Sequence, residues 1–148
     1  MKFTRWVIAC LTLVLSLIAF PEIESSVKMA GGKEGILETQ VGDATYYASS
    51  FQGEQTASGV KFDNRNSVAA HLSFPFGTVV RVTNLENGKS VNVVVVDRGP
   101  YGKNRREGAI IDLSRSAAEK LGMIREGQVH VRVEVLMWGD GRRRDHRS

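Results

Sequence analysis

The chain has 148 residues, 42% hydrophobic and 24% charged, the balance of one soluble globular domain. That excludes a disordered chain, a multi-span membrane protein and a collagen-like fibre. The net charge of +4 lies at the ends, with Lys2 and Arg5 at one and four arginines against two aspartates from Asp140 to Ser148 at the other. The middle is close to neutral, so no nucleic-acid partner is expected, because that needs a basic face on the folded domain.

Lys2 and Arg5 precede an uncharged apolar run, Trp6 to Phe20, closed by Pro21 and Glu22. Fifteen residues are short for a spanning helix, and a basic start before such a run describes a secretory signal. Residues 1–24 are therefore expected to be a signal peptide or N-terminal anchor, the one expected route of membrane contact. The rest is expected to be exported, to the periplasm or cell envelope. Cys10, the one cysteine, reads as an apolar residue of that run and excludes a disulfide framework within the chain. Residues 25–38, small and polar, read as a linker.

The domain is expected over residues 39–138. Val41 to Ser49, with Thr and two Tyr, has strand composition. Phe51 to Asn66 reads as loop. Val79 to Thr83 is a strand, Asn87-Gly88 a hairpin signal, and Ser90 to Val96 the return strand. Val93 to Val96 is apolar on both faces and is expected to be central and buried. Ile110 to Leu113 is a short strand. Ser114 to Leu121 reads as a helix, with Ser114 as N-cap and Gly122 ending it. Val129 to Leu136 alternates, placing His130, Arg132 and Glu134 on one face. Residues 139–148 read as a frayed basic tail. The short strands and one helix suggest a small closed barrel, mainly β.

Asp97, at the end of the apolar run, is the most informative polar residue. Desolvation there raises an acid's pKa, and a carboxyl that keeps its proton can protonate a leaving oxygen. A turn-capping role is the structural alternative. His71, after Ala69-Ala70, is either a loop-fixing side chain or a partner of the acid. Asp112 reads as a helix-terminus anion. His71, His130 and His146 are scattered, so neither metal nor cofactor is expected.

These segments together resemble the RlpA family of septal-ring lytic transglycosylases. Ala44-Thr45-Tyr46-Tyr47 is similar to its A-S-W-Y-G opening and to the A-T-[FY]-Y of expansins. Thr56-Ala57-Ser58-Gly59 through Phe62-Asp63 is similar to T-A-N-G-E-x-Y-D, and Ala69-Ala70-His71 with Pro75 to A-A-H-x-x-L-P. Val79 to Asn84, Asn87-Gly88, Asp97-Arg98-Gly99-Pro100, Ile111 to Ser114, Ala117-Ala118 and Leu121-Gly122 follow its remaining pattern in order and spacing.

The resemblance implies a six-stranded double-psi β-barrel with one or two short helices, acting as a monomer on peptidoglycan glycan strands. It implies cleavage of the β-1,4 bond between N-acetylmuramic acid (MurNAc) and N-acetylglucosamine (GlcNAc). An acid protonates the glycosidic oxygen and the muramic C6 hydroxyl attacks C1, leaving a 1,6-anhydro end. Active members use a Glu, a His and an Asp. The Asp carries over to Asp97 and the His, in support, to His71. Val60 stands in the place of the Glu, with Glu54 and Asp63 in the same loop as candidate substitutes. Thr45, Tyr47, Asp63, Arg98 and Tyr101 are expected to bind sugar. The alternative is an expansin-like module that grips glycan without cutting it.

Overall fold

Alternation builds the wall. Val91, Val93 and Val95, then Val129, Val131, Val133 and Val135, turn every second side chain into one core with Val80, Val82, Ile111 and Leu113. The computed structural model describes residues 35–144; the expected signal or anchor and most of the linker lie outside them. Six strands form a closed barrel: β1 Glu38–Tyr46, β2 Val68–His71, β3 Val79–Asn84, β4 Ser90–Asp97, β5 Ala109–Leu113 and β6 Val129–Met137. Their order around it is β1-β5-β2-β4-β3-β6. Closure leaves no free sheet edge.

Four neighbouring pairs are antiparallel, whereas β1–β5 and β2–β4 are parallel. Parallel neighbours need long connections: the chain from β1 to β5 includes residues 47–67 and 98–108 outside the wall, and that from β2 to β4 passes through β3. Residues 47–67 and 98–108, with the strand ends beside them, carry the candidate site. Helix α1, Gly102–Arg106, lies in the second of these segments, and α2, Arg115–Lys120, follows β5. At the start of α2 the Ser114 hydroxyl accepts the Ala117 N–H at 3.4 Å.

Several expectations shift. β1 begins at Glu38 because Glu38, Thr39 and Gln40 pair with Val135, Glu134 and Val133 of β6. β2 has no strand composition; it is a strand because β4 and β5 bracket Ala69 and Ala70. α1 is fully exposed, so it had no apolar period to announce it. Val93 and Val95 are buried as expected, but Val94 and Val96 are only half-buried. The tail is not frayed from Gly139 to Arg144: Gly139, Gly141 and Arg144 each donate a backbone N–H to the barrel or its loops.

Candidate active site

Register places two carboxylates in one row. Ala70 of β2 pairs with Asp97 of β4 on one side and with Asp112 of β5 on the other, and Asp112 pairs with Thr45 of β1. Paired residues share a face, so Asp97, Ala70, Asp112 and Thr45 form a rung across four strands. The two acids are two strand spacings apart, roughly 10 Å between Cα atoms. A β-bulge on each parallel pair sets this register. Gly99 lies over Ala70, and at φ +148° a Cβ there would meet Asp112 Oδ2 at 3.2 Å. Only glycine lets the chain turn so close to the acid row.

Asp97 is half-buried and held by two donors. The Tyr47 hydroxyl donates to Oδ2 at 2.6 Å and the Ala57 backbone N–H to Oδ1 at 2.8 Å. A carboxylate offers about four lone-pair sites, so acceptor capacity remains for a ligand. Burial, then the bond to Asp97, pushes the Tyr47 phenol far above its ordinary pKa, so it stays neutral and donates. Asp97 opens on a cleft of about 310 Å³ lined also by Tyr47, Phe51, Glu54 and Phe62. Tyr47 packs edge-on to Phe51 at 5.2 Å and against Phe62 at 4.3 Å between centroids. Phe51 is 47% exposed and Tyr101 62% exposed, so the row has aromatic faces free beside it.

Asp112 accepts the Thr45 hydroxyl, and Asn104 Nδ2 approaches Thr45 at 3.5 Å. Burial raises the Asp112 pKa, the Thr45 bond opposes it, and the charge of Asp97 raises it further. The expectation of a helix-terminus anion does not hold. Ser114 caps α2, and Asp112 turns into the acid row. Sequence reading missed this residue because its position before a helix already had a sufficient explanation. Strand parity with Asp97 was readable only once Ala70 was known to separate them.

His71 and Arg98 face elsewhere. His71 Nδ1 accepts the Ser73 and Phe74 backbone N–H groups at 3.3 and 3.1 Å, so the ring proton sits on Nε2 and donates to Gln40 Oε1 at 3.0 Å. The ring stacks on Phe74 at 3.7 Å. Burial lowers its pKa to about 4, the charge of Glu38 opposes this and that of Arg98 adds to it. Arg98 donates to the carbonyls of His71 and Phe74 at 3.2 and 2.9 Å and lies 3.9 Å over the Phe76 ring. Asp63 is bound by Arg65 at 2.9 Å and by Gln52 at 3.3 Å. Arg65 holds it well below the usual carboxylate range. Of the residues singled out from sequence, the structure thus brings together Asp97, Tyr47, Thr45, Tyr101 and Glu54, and gives Asp112 a position in the row in place of its expected helix-terminus role. It leaves His71, Arg98 and Asp63 in contacts of their own. Val60 lines a different cavity, with Val94, Val96, Phe76 and Arg144. Among the described residues no His, Cys, Asp and Glu side chains converge as a metal-binding group.

Residues 39–133 match the lytic transglycolase family. The chain belongs to that family. It is 46% identical over 101 residues to the endolytic peptidoglycan transglycosylase RlpA of Neisseria meningitidis, covering 68% of this chain and 41% of that protein. It is 48% identical over 96 residues to the Pseudomonas aeruginosa protein of the same name, covering 65% of this chain and 27% of that one. The chain thus spans at most about two fifths of the curated relatives it matches. Among solved structures, the Streptomyces papain inhibitor aligns at a TM-score of 0.54 and 25% identity, covering 69% of this chain and 97% of that one. The apo expansin of Clavibacter michiganensis aligns at 0.52 and 25%, covering 68% and 51%. One barrel therefore carries unlike functions, and function must be argued from the row.

Proposed function

We propose that this chain is a peptidoglycan lytic transglycosylase of the cell envelope, cutting the MurNAc–GlcNAc bond of glycan strands to 1,6-anhydro ends. The family and the relatives' names support the substrate class. The observation that carries the chemistry is the row of two electrostatically coupled carboxylates, one pushed up by burial and by the charge of the other. Two acids whose environments differ divide the acid and base roles.

Asp112, the acid whose pKa burial raises, protonates the glycosidic oxygen as the bond to C1 breaks. Asp97, oriented by Tyr47 and Ala57, accepts the proton of the muramic C6 hydroxyl as O6 bonds to C1. No water is consumed. The proton gained by Asp97 equals that lost by Asp112, and its return resets the pair. The resemblance carries over a single Asp, Asp97; a pair lets each carboxyl do one transfer. Phe51 and Tyr101 offer sugar-stacking faces, Thr45 orients Asp112, and His71 with Arg98 supports the turn behind the row.

The test digests denuded sacculi with the domain and weighs the soluble products. Anhydro-muropeptides, lost about 10²–10⁴-fold in Asp97→Asn, are the expected result for a general acid–base residue. Reducing ends would indicate hydrolysis, and strand binding without release would indicate an expansin-like module, the reading that Val60 favours.

A further inference from the structure

The segment after β6 leaves the barrel wall, yet it reaches the turn that serves Asp97. Gly139 N–H donates to the Thr78 hydroxyl at 3.1 Å, Gly141 N–H to the Phe76 carbonyl at 3.1 Å and Arg144 N–H to the Ser58 carbonyl at 2.6 Å. Where it crosses, a Cβ on Gly139 would lie 2.0 Å from the Phe76 oxygen and 2.4 Å from the Thr78 nitrogen, so no other residue fits there. Between its attachments the segment borders a cavity of about 380 Å³ over Val60, Val94 and Val96, with Asp140, Arg142 and Arg144 on its own side. This is why the outer valines of β4 are only half-buried. The segment is held by backbone donors across a hollow, with little apolar packing to do the same work.

The turn it reaches is tight. Thr56 and Ser58 are buried, Thr56 N–H and hydroxyl both donate to the Val60 carbonyl, and Gly59 N–H donates to Thr56. Ser58 is gripped from two sides, its N–H by the Val96 carbonyl of β4 at 3.1 Å and its carbonyl by Arg144. The preceding residue, Ala57, presents its N–H to Asp97. A turn this closely bonded moves as one piece, so displacement at the Ser58 carbonyl reaches the Ala57 N–H.

We infer that Gly139–Arg144 is a strap that positions the Thr56–Val60 turn and, through it, the Ala57 donor on Asp97. Its consequence for turnover rests on the reading of Asp97 given above; its consequence for the turn does not. The working group is the Arg144 backbone N–H, so proline and alanine at that position must differ.

The experiment uses the full chain and compares Arg144→Pro, which removes the N–H, with Arg144→Ala, which keeps it. Amide exchange of Ala57 is expected to quicken at least about tenfold in Arg144→Pro, with Val82, Val93 and Val133 unchanged as a check on the barrel. On denuded glycan the same variant is expected to lose about tenfold or more in kcat, with KM held, as misplacement of a reacting group does. Arg144→Ala is expected to match wild type in both. Unchanged Ala57 exchange in Arg144→Pro overturns the strap, and equal effects of the two variants overturn the assignment to the backbone N–H. Faster exchange with undiminished kcat overturns the positioning role. If wild type itself releases no anhydro product, the transglycosylase reading fails, and exchange alone decides whether the strap holds the turn.

Discussion

Asp97 and Arg98 adjoin in the chain and end in opposite kinds of surroundings. Asp97 turns into an open cleft with two donors and spare acceptor capacity, coupled to a second acid. Arg98 turns behind the rim, where its guanidinium is bonded to two carbonyls and covers Phe76, and where His71 has both ring nitrogens engaged. On the proposed mechanism, the difference separates reactive from supporting groups. A polar side chain whose bonds are all met by the protein fixes geometry, and one left short of partners can serve a substrate. Both belong to motifs that look equally functional as letters.

The sharpest way to break that distinction is Asp112→Asn. If the coupled pair is the working unit, release of anhydro product falls about 100-fold, the scale of one general-acid role. Stability should move the other way. Burial raises the folded Asp112 pKa above its unfolded value, so its favourable contribution is complete below the unfolded pKa and is lost as pH rises through the folded one. Above the folded pKa the ionised form is a cost, and the amide relieves it, so the variant gains on wild type as pH rises, by up to about 1 kcal/mol. Chemical denaturation at pH 7 beside product analysis checks both signs. An active Asp112→Asn would return both proton transfers to Asp97.

Much of this was legible before the fold was known. The continuous apolar run Val93 to Val96 announced β4, alternation announced β6, Asn87-Gly88 the hairpin, and Ser114 with Gly122 the bounds of α2. Asp97 stood out because a charge ended an apolar strand. What was not legible depends on register. β2 is a strand only by virtue of its neighbours, and without β2 nothing aligns Asp97 with Asp112. Asp63 looked equivalent to Glu54 in the same loop, but Asp63 closes on Arg65 two residues away while Glu54 lines the cleft. The tail resembled solvated charge because its attachments are made by backbone N–H groups, which no side-chain pattern reveals.

On the supporting side, His71 predicts a pH dependence of stability and little of chemistry. Its folded pKa of about 4 lies below the ordinary 6.5, so the unfolded chain binds the proton more readily in that window. His71 therefore contributes stability that is full above about pH 6.5 and is lost as pH falls toward 4. Between pH 7 and pH 5 the loss should be about 1–2 kcal/mol, and His71→Gln should flatten that slope in urea titrations. A wild-type slope no steeper than that of the variant would show that His71 is not held neutral by the contacts described.

The smallest effect tests the reactive side most finely. Tyr47→Phe keeps the ring against Phe51 and Phe62 and removes the donor to Asp97 Oδ2. Ala57 still holds Oδ1, so the carboxylate loses one of two tethers rather than its place. A hydrogen bond to a charged group is worth about 1.5–3 kcal/mol, but water entering the cleft replaces part of it, so a net loss near 1 kcal/mol is expected. That corresponds to about fivefold in kcat, with strand binding unchanged because the aromatic face remains. A loss confined to KM would place Tyr47 on the sugar rather than on Asp97, and would shift the centre of the site from the acid row to the aromatic wall.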